Sequence, residues 1–213
     1  MTGQTAPWCL VVPVKRLETA KTRLTRVAGA RREELALAFC LDTVAAALAA
    51  SLVHDVIVVT DDEGAAEGLR GIGATVAADE PDSGLNPALL HGAQVARDRH
   101  PGSSLGALSA DLPALRPDEL DGALRLASGH PLSMVRDAGG DGTTMLLARA
   151  GSAFVPRFGP GSAQLHRADG AVDLSGPGVP SLRRDVDTEA DLLAALALGL
   201  GPRSAEVVRQ LRR

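Results

Sequence analysis

The sequence predicts a three-layer α/β/α fold with a mostly parallel, mixed sheet, formed by one domain over residues 1–213. Short apolar, β-branched runs alternate with Ala- and Leu-rich helical stretches, the pattern of strands joined by crossover helices. Two carboxylate motifs, Ser109-Ala110-Asp111-Leu112-Pro113 and Arg184-Asp185-Val186-Asp187-Thr188, each follow a strand-like run and precede a helix-like one. In an open parallel sheet such motifs reach the carboxyl edge, where ligands bind.

The elements follow in order. Trp8 to Val14 is apolar throughout and predicts a buried first strand. Lys15 to Ala28 is a basic, non-periodic loop. Arg31 to Ala50 is rich in strong helix formers and predicts a long core helix, interrupted by Asp42. Asp55 to Thr60 (DVIVVT) predicts a central parallel strand. Asp61 to Leu69 predicts a helix with acids in its first turn, and Ala74 to Ala78 a third strand. Asn86-Pro87 fits a helix start, Asn capping and Pro at the first helical position. Leu105 to Ser109 predicts a strand that delivers Asp111. Pro117 to Ala127 predicts a helix, and Leu132–Val135 with Thr143–Ala148 a hairpin about the DAGGDG turn that covers the active site. A short helix is expected from Gly161 to Ala168. Ser181 to Val186 leads into a helix from Thr188 to Leu198, with Thr188 and Asp191 spaced as a near capping box. Gly199 and Gly201 end it, and Ser204 to Arg213 forms a last helix.

Composition excludes several functions. With 45% hydrophobic and 23% charged residues, the chain has the balance of a globular protein. A net charge of -4 offers no field for nucleic acid. The aromatics are Trp8, Phe39, Phe154 and Phe158, too few for base stacking. The five histidines lack zinc-ligand spacing. Cys9 and Cys40 lie in apolar runs and read as buried free thiols of a reducing cytoplasm. No signal peptide is apparent, and the Leu35–Val53 run is a core helix rather than a membrane span.

Three constellations carry chemistry. Lys15, Lys21 and Arg23 follow the first strand, in the loop that cradles phosphates in open α/β sheets, and together suit a triphosphate. A basic loop alone is as often a solvated surface; its position favours phosphate binding. No G-x-x-x-x-G-K-[ST] or G-x-G-x-x-G motif is present. Asp111, Asp185 and Asp187 are each by themselves turn or cap residues. Arriving from two strand ends, they match magnesium's preference for one or two carboxylates plus phosphate oxygens. Gly140–Thr144 and Arg157–Ser162 combine hydroxyls with Gly amides, an anion pocket to which Arg157, His166 and Arg167 add charge.

Five stretches in order carry a resemblance: VPVKRLETAKTRL (12–24), LSADLPAL (108–115), GDGTTMLL (140–147), RFGPGSAQLH (157–166) and RRDVDTEADL (183–192). Their conjunction resembles the 2-phospho-L-lactate or phosphoenolpyruvate guanylyltransferases, which make the activated precursor of the deazaflavin coenzyme called factor 420. The wider class has the nucleotide-diphospho-sugar transferase, or glycosyltransferase-A-like, fold. Its usual Gly-rich opening is replaced here by K-R-L-x-x-A-K-T-R-L. The resemblance implies Mg2+ on Asp111 and Asp187, catalytic roles for these and Lys15, and triphosphate contacts from Lys15, Lys21 and Arg23. It places the nucleoside against Gly84, Leu85 and Asn86, and the acceptor against Thr143 or Thr144, Gly159 and Ser162. GTP and a phosphorylated three-carbon acid are the implied partners, phosphoenolpyruvate ahead of 2-phospho-L-lactate and 3-phosphoglycerate. The labile product suits handover to the next transferase. A molybdopterin or sugar-phosphate nucleotidyltransferase and a non-catalytic nucleotide sensor are the competing readings.

Overall fold

The computed structural model describes residues 6–15, 24, 28–80 and 82–211. Seven strands form one sheet: β1 (Trp8–Pro13), β2 (Val53–Val59), β3 (Thr75–Ala77), β4 (Ser104–Leu108), β5 (Leu132–Arg136), β6 (Thr143–Ala148) and β7 (Val172–Asp173). Their order is β3-β2-β1-β4-β6-β5-β7. The pairs β1–β2, β2–β3, β1–β4 and β5–β7 are parallel, while β6 runs antiparallel to both β4 and β5. The helices are α1 (Arg32–Ala49), α2 (Glu63–Gly71), α3 (Leu85–Arg99), α4 (Pro117–Ala127), α5 (Ser162–Ala168), α6 (Glu189–Leu198) and α7 (Pro202–Leu211).

The two-residue period of β1 sends Trp8, Leu10 and Val12 into one core and Cys9 and Val11 into another. All five are fully buried, which is why this central strand reads as an unbroken apolar run. The first core takes Cys40 and Val44 of α1, Leu69 of α2 and Leu120 and Leu124 of α4. The second takes Ala88, Leu89, Ala93 and Ala96 of α3. Gly92 lets α3 lie against β1 and β2, since a Cβ there would overlap the Val11 and Val59 side chains. A third core joins Leu35 and Phe39 of α1 to Leu192 of α6 and Val207 of α7.

Most expected elements form within two residues of their predicted ends, and the Thr188–Asp191 capping box is present. Three expectations are corrected, and one strand, β7, was not anticipated. The hairpin is not a separate cover over the active site: β6 inserts between β4 and β5 and becomes part of the sheet, with its turn at the carboxyl edge. Residues 181–186 form no strand. Ser181 is held by side chains instead, its N–H and Oγ donating to Glu119 Oε2 and its Oγ accepting from Arg116 N–H. The two-residue β7 was too short to show a period. Finally, α3 begins at Leu85 with Gly84 as its N-cap, two residues ahead of the expected Asn86 cap.

Candidate functional site

The strand order reverses between β1 and β4, so their following loops diverge and leave a crevice at the carboxyl edge. On the β1 side, Val14 N–H continues the ladder to Val59 O at 2.9 Å, and exposed Lys15 follows. On the β4 side, Ser109 N–H donates to Thr144 O at 2.9 Å, and Leu112 N–H to Thr43 Oγ1 of α1 at 3.0 Å. These bonds hold the Ser109–Pro113 turn between β6 and α1. Two adjoining cavities, about 300 and 220 Å³, share Pro13, Val14, Lys15 and Leu85 as walls. The first extends to Asp61, Asp79, Asp82 and Gly84. The second extends to Ser109, Asp111, Cys40 and Phe158. Lys15 thus faces both halves of one cleft. Lys21 and Arg23 lie outside the described residues.

The second carboxylate motif comes to the first without a strand. Val186 N–H donates to Asp111 O at 3.1 Å, which sets the backbone between Asp185 and Asp187 against Asp111. Burial pushes the Asp185 carboxyl up to about 7, with further upward pressure from Asp111, Asp187 and Asp137. Four carboxylates therefore share one electrostatic neighbourhood at the carboxyl edge. Among the described residues, no three His, Cys, Asp or Glu side chains are disposed to hold a metal by themselves.

The loops expected to form the anion pocket are ordered by their own acids. Asp137 accepts from Gly140 N–H and, at 2.9 Å, from Gly142 N–H, closing the DAGGDG turn. A Cβ on Gly142 would overlap the Asp137 carboxylate, so this turn requires glycine. Asp141 Oδ2 accepts from Gly161 N–H at 3.1 Å, and Asp141 O from Ala163 N–H at 3.0 Å. The amides expected to receive a ligand anion at the start of α5 are thus partly taken by the protein's own carboxylate. Ser162 is buried beside them, and Gly159 holds φ +136°, a conformation only glycine adopts readily.

Thr144 is buried and donates its hydroxyl to Leu182 O at 2.6 Å, tying β6 to the chain before the Asp185–Asp187 motif. Thr143 is bonded to His166 Nδ1 at 2.9 Å, while Arg157 N–H donates to His166 Nε2 at 2.9 Å. Because Nε2 accepts, the proton sits on Nδ1 and goes to Thr143 Oγ1. Burial lowers the His166 pKa to about 4, so the ring is neutral at neutral pH. The expected charge from this stretch is corrected accordingly: His166 is a neutral brace, Arg157 pairs with Asp169, and Arg167 pairs with Asp173.

Among the residues expected to meet a nucleoside, Gly84 has φ +113° and ψ -177°, again reserved for glycine, and its cap position brings Leu85 onto the cleft wall. Asn86 neither caps α3 nor offers a free amide. Its Oδ1 accepts from Phe158 N–H at 2.8 Å and its Nδ2 donates to Phe158 O at 3.1 Å. The wall residues Asp61, Asp79 and Asp82 were not singled out in the sequence; they look like solvated loop acids there. Asp61 Oδ1 accepts from Asp79 N–H at 2.9 Å. Burial, then the charge of Asp61, push the Asp79 carboxyl upward.

The chain is similar to known proteins over nearly its whole length. The family described as "Guanylyl transferase CofC like" matches residues 8–213. A phosphoenolpyruvate guanylyltransferase of Thermomonospora curvata is 56% identical, covering 96% of this chain and 90% of that one. A phosphoenolpyruvate guanylyltransferase of Streptomyces coelicolor is 54% identical, covering 96% and 97%. Among solved structures, a Desulfovibrio desulfuricans G20 protein assigned as a nucleotide-diphospho-sugar transferase superposes with TM-score 0.68 at 19% identity, over 97% and 99% of the two chains. A nucleotidyl transferase of Methanothermobacter thermautotroptrophicus gives 0.61 at 20% identity, over 97% and 100%. These two likenesses establish the fold, the α/β architecture with a mixed sheet expected from the sequence.

Proposed function

This chain belongs to the CofC-like guanylyl transferase family, and from that premise we propose that it transfers GMP from GTP to phosphoenolpyruvate, forming enolpyruvyl-2-diphospho-5'-guanosine and diphosphate. The observation that carries the reading is the single cleft spanning the ends of β1 and β4, with Lys15 on both halves and Asp111 on one. The choice of phosphoenolpyruvate rests on the relatives of that name at 54–56% identity. The acid-lined half suits guanine, whose N1–H and 2-amino group are adjacent donors and whose partner must therefore be an acceptor; ionised carboxylates offer acceptors alone.

The donor set fits a magnesium ion. Asp111 and Asp187 are hard oxygen ligands, and mutual repulsion in their neighbourhood, felt by Asp185, would be relieved by a divalent cation. Substrate oxygens would complete the shell. When bound, such an ion neutralises charge on the phosphates and orients them.

The acceptor's phosphate oxygen attacks the α-phosphorus of GTP, the bond from that phosphorus to the β-phosphate bridging oxygen breaks, and diphosphate leaves. A phosphate monoester has its second pKa near 6, so the attacking oxygen is already anionic. No general base is needed, consistent with His166 being a neutral ring with both nitrogens engaged. The chain's own work is positioning and charge neutralisation. Lys15 bears on the triphosphate where the two half-sites meet. The loops braced by Asp137 and Asp141 hold Gly159 and Ser162 near the acceptor, and Thr144 fixes the approach of the Asp185–Asp187 segment.

The test is mass analysis of the products formed with magnesium from GTP and a mixture of phosphoenolpyruvate, 2-phospho-L-lactate and 3-phosphoglycerate, with CTP in parallel. The expected dominant product is the guanosine diphosphate ester of enolpyruvate, with diphosphate in equal amount. A product from CTP alone, or GTP bound without turnover, would overturn the reading.

A further inference from the structure

We infer that Asn86 is a positioning residue for the acceptor, acting across the cleft through the backbone of Phe158. Asn86 sits in the first turn of α3, the helix packed on β1 and β2 in the nucleotide half. Its immediate neighbours Gly84 and Leu85 line the cavity with the three acids. Yet its side-chain amide turns to the other half, where both its oxygen and its nitrogen bond the same peptide unit pair of Phe158, at 2.8 and 3.1 Å. The pairing copies an antiparallel backbone bridge with one side chain.

The segment it holds has little regular structure to hold itself. Residues 153–161 form neither helix nor strand, and Gly159 and Gly161 both take positive φ. Arg157 N–H is fixed by His166 and Gly161 N–H by Asp141, both from the acceptor half. Asn86 supplies the tie from the nucleotide half, at the residue between them whose ring lines the cavity beside Asp111. Phe158 also meets the His166 ring edge-on at 5.2 Å between centroids, so its backbone position sets a wall shared by the acceptor pocket and the His166–Thr143 brace. A residue that sequence position assigns to the nucleoside therefore governs the geometry of the acceptor loop.

This inference rests on the cleft holding a nucleotide and a phosphorylated acceptor, so the wild-type enzyme is assayed first with GTP and phosphoenolpyruvate; lack of turnover there defeats the function and not the clamp. The test is steady-state kinetics of Asn86→Ala and Asn86→Asp, each substrate varied at saturating levels of the other, with thermal midpoints recorded. Asn86→Ala should raise the acceptor KM about tenfold, equivalent to about 1.4 kcal/mol, while the GTP KM stays within about threefold. Asn86→Asp keeps the acceptor for Phe158 N–H and should fall between. If the Ala variant does not fold, the Asp variant is read against the same two constants. A GTP KM rising as much as the acceptor KM, or an acceptor KM unchanged in both variants, would overturn the inference.

Discussion

At the scale of single residues, the site is built as much by buried braces as by exposed ligands. His166 shows this: its ring is fully buried, bonded on both nitrogens, and neutral. Burial sets its folded pKa to about 4, below an unfolded value near 6.5. A lowered histidine pKa means the unfolded state binds the proton more readily, so its contribution is fully present above about 6.5 and is lost as pH falls towards 4. Thermal midpoints of His166→Gln should therefore change less between pH 6.5 and 4 than those of the wild type; parallel curves would contradict this. The sequence pointed to this residue but as added charge, because a polar stretch does not reveal which of its side chains will be enclosed. Asn86 misled for a related reason. Asn before Pro is a good cap signal, yet Gly84 can adopt a conformation closed to Asn and so starts the helix earlier.

At the scale of elements, the helices were legible because their signals are local: Pro117 opening α4, and the Thr188–Asp191 box opening α6. Asp42 was visible only as an interruption in an apolar helix. Its carboxylate, buried within α1, accepts from Ser204 N–H at 2.7 Å and Arg203 N–H at 3.3 Å, capping α7 from 160 residues away in sequence (roughly). A cap supplied by a distant helix leaves no spacing to read. Asp42→Ala strands those amides in a buried place and should cost about 1–3 kcal/mol, lowering the thermal midpoint by about 2–4 °C per kcal/mol for a chain of this size. Calorimetry checks it, and an unchanged midpoint would remove the cap from the account. The strand-like run expected ahead of Asp187 does not form: Ser181 is bonded to Glu119 and Arg116, Leu182 O accepts from Thr144, and Val186 N–H donates to Asp111 O.

For the whole molecule, the alternation of strands and helices gave the layers, while the sheet order did not follow from it. Nothing local in residues 143–148 says that β6 will sit between β4 and β5 and run against both. That insertion matters for function. It places the Asp137–Gly142 turn at the same carboxyl edge as Asp111, and Thr144 O on Ser109 N–H. The meeting of Asp111 with the Asp185–Asp187 segment could be anticipated from the two motifs together, whereas the acids lining the larger cavity could not, since Asp61, Asp79 and Asp82 share no spacing. The cleft unites parts of the chain more than a hundred residues apart (on the order of half its length), and its chemistry depends on the sheet holding them in register.

The central claim is that Asp111, brought against the Asp187 segment by the Val186 bond, supports nucleotidyl transfer as a metal-binding carboxylate. The most direct measurement is the turnover number of Asp111→Ala at saturating GTP, phosphoenolpyruvate and magnesium, alongside its thermal midpoint. The account predicts a fall of about a hundredfold or more with the folded state retained, and near wild-type turnover in that folded variant would contradict it.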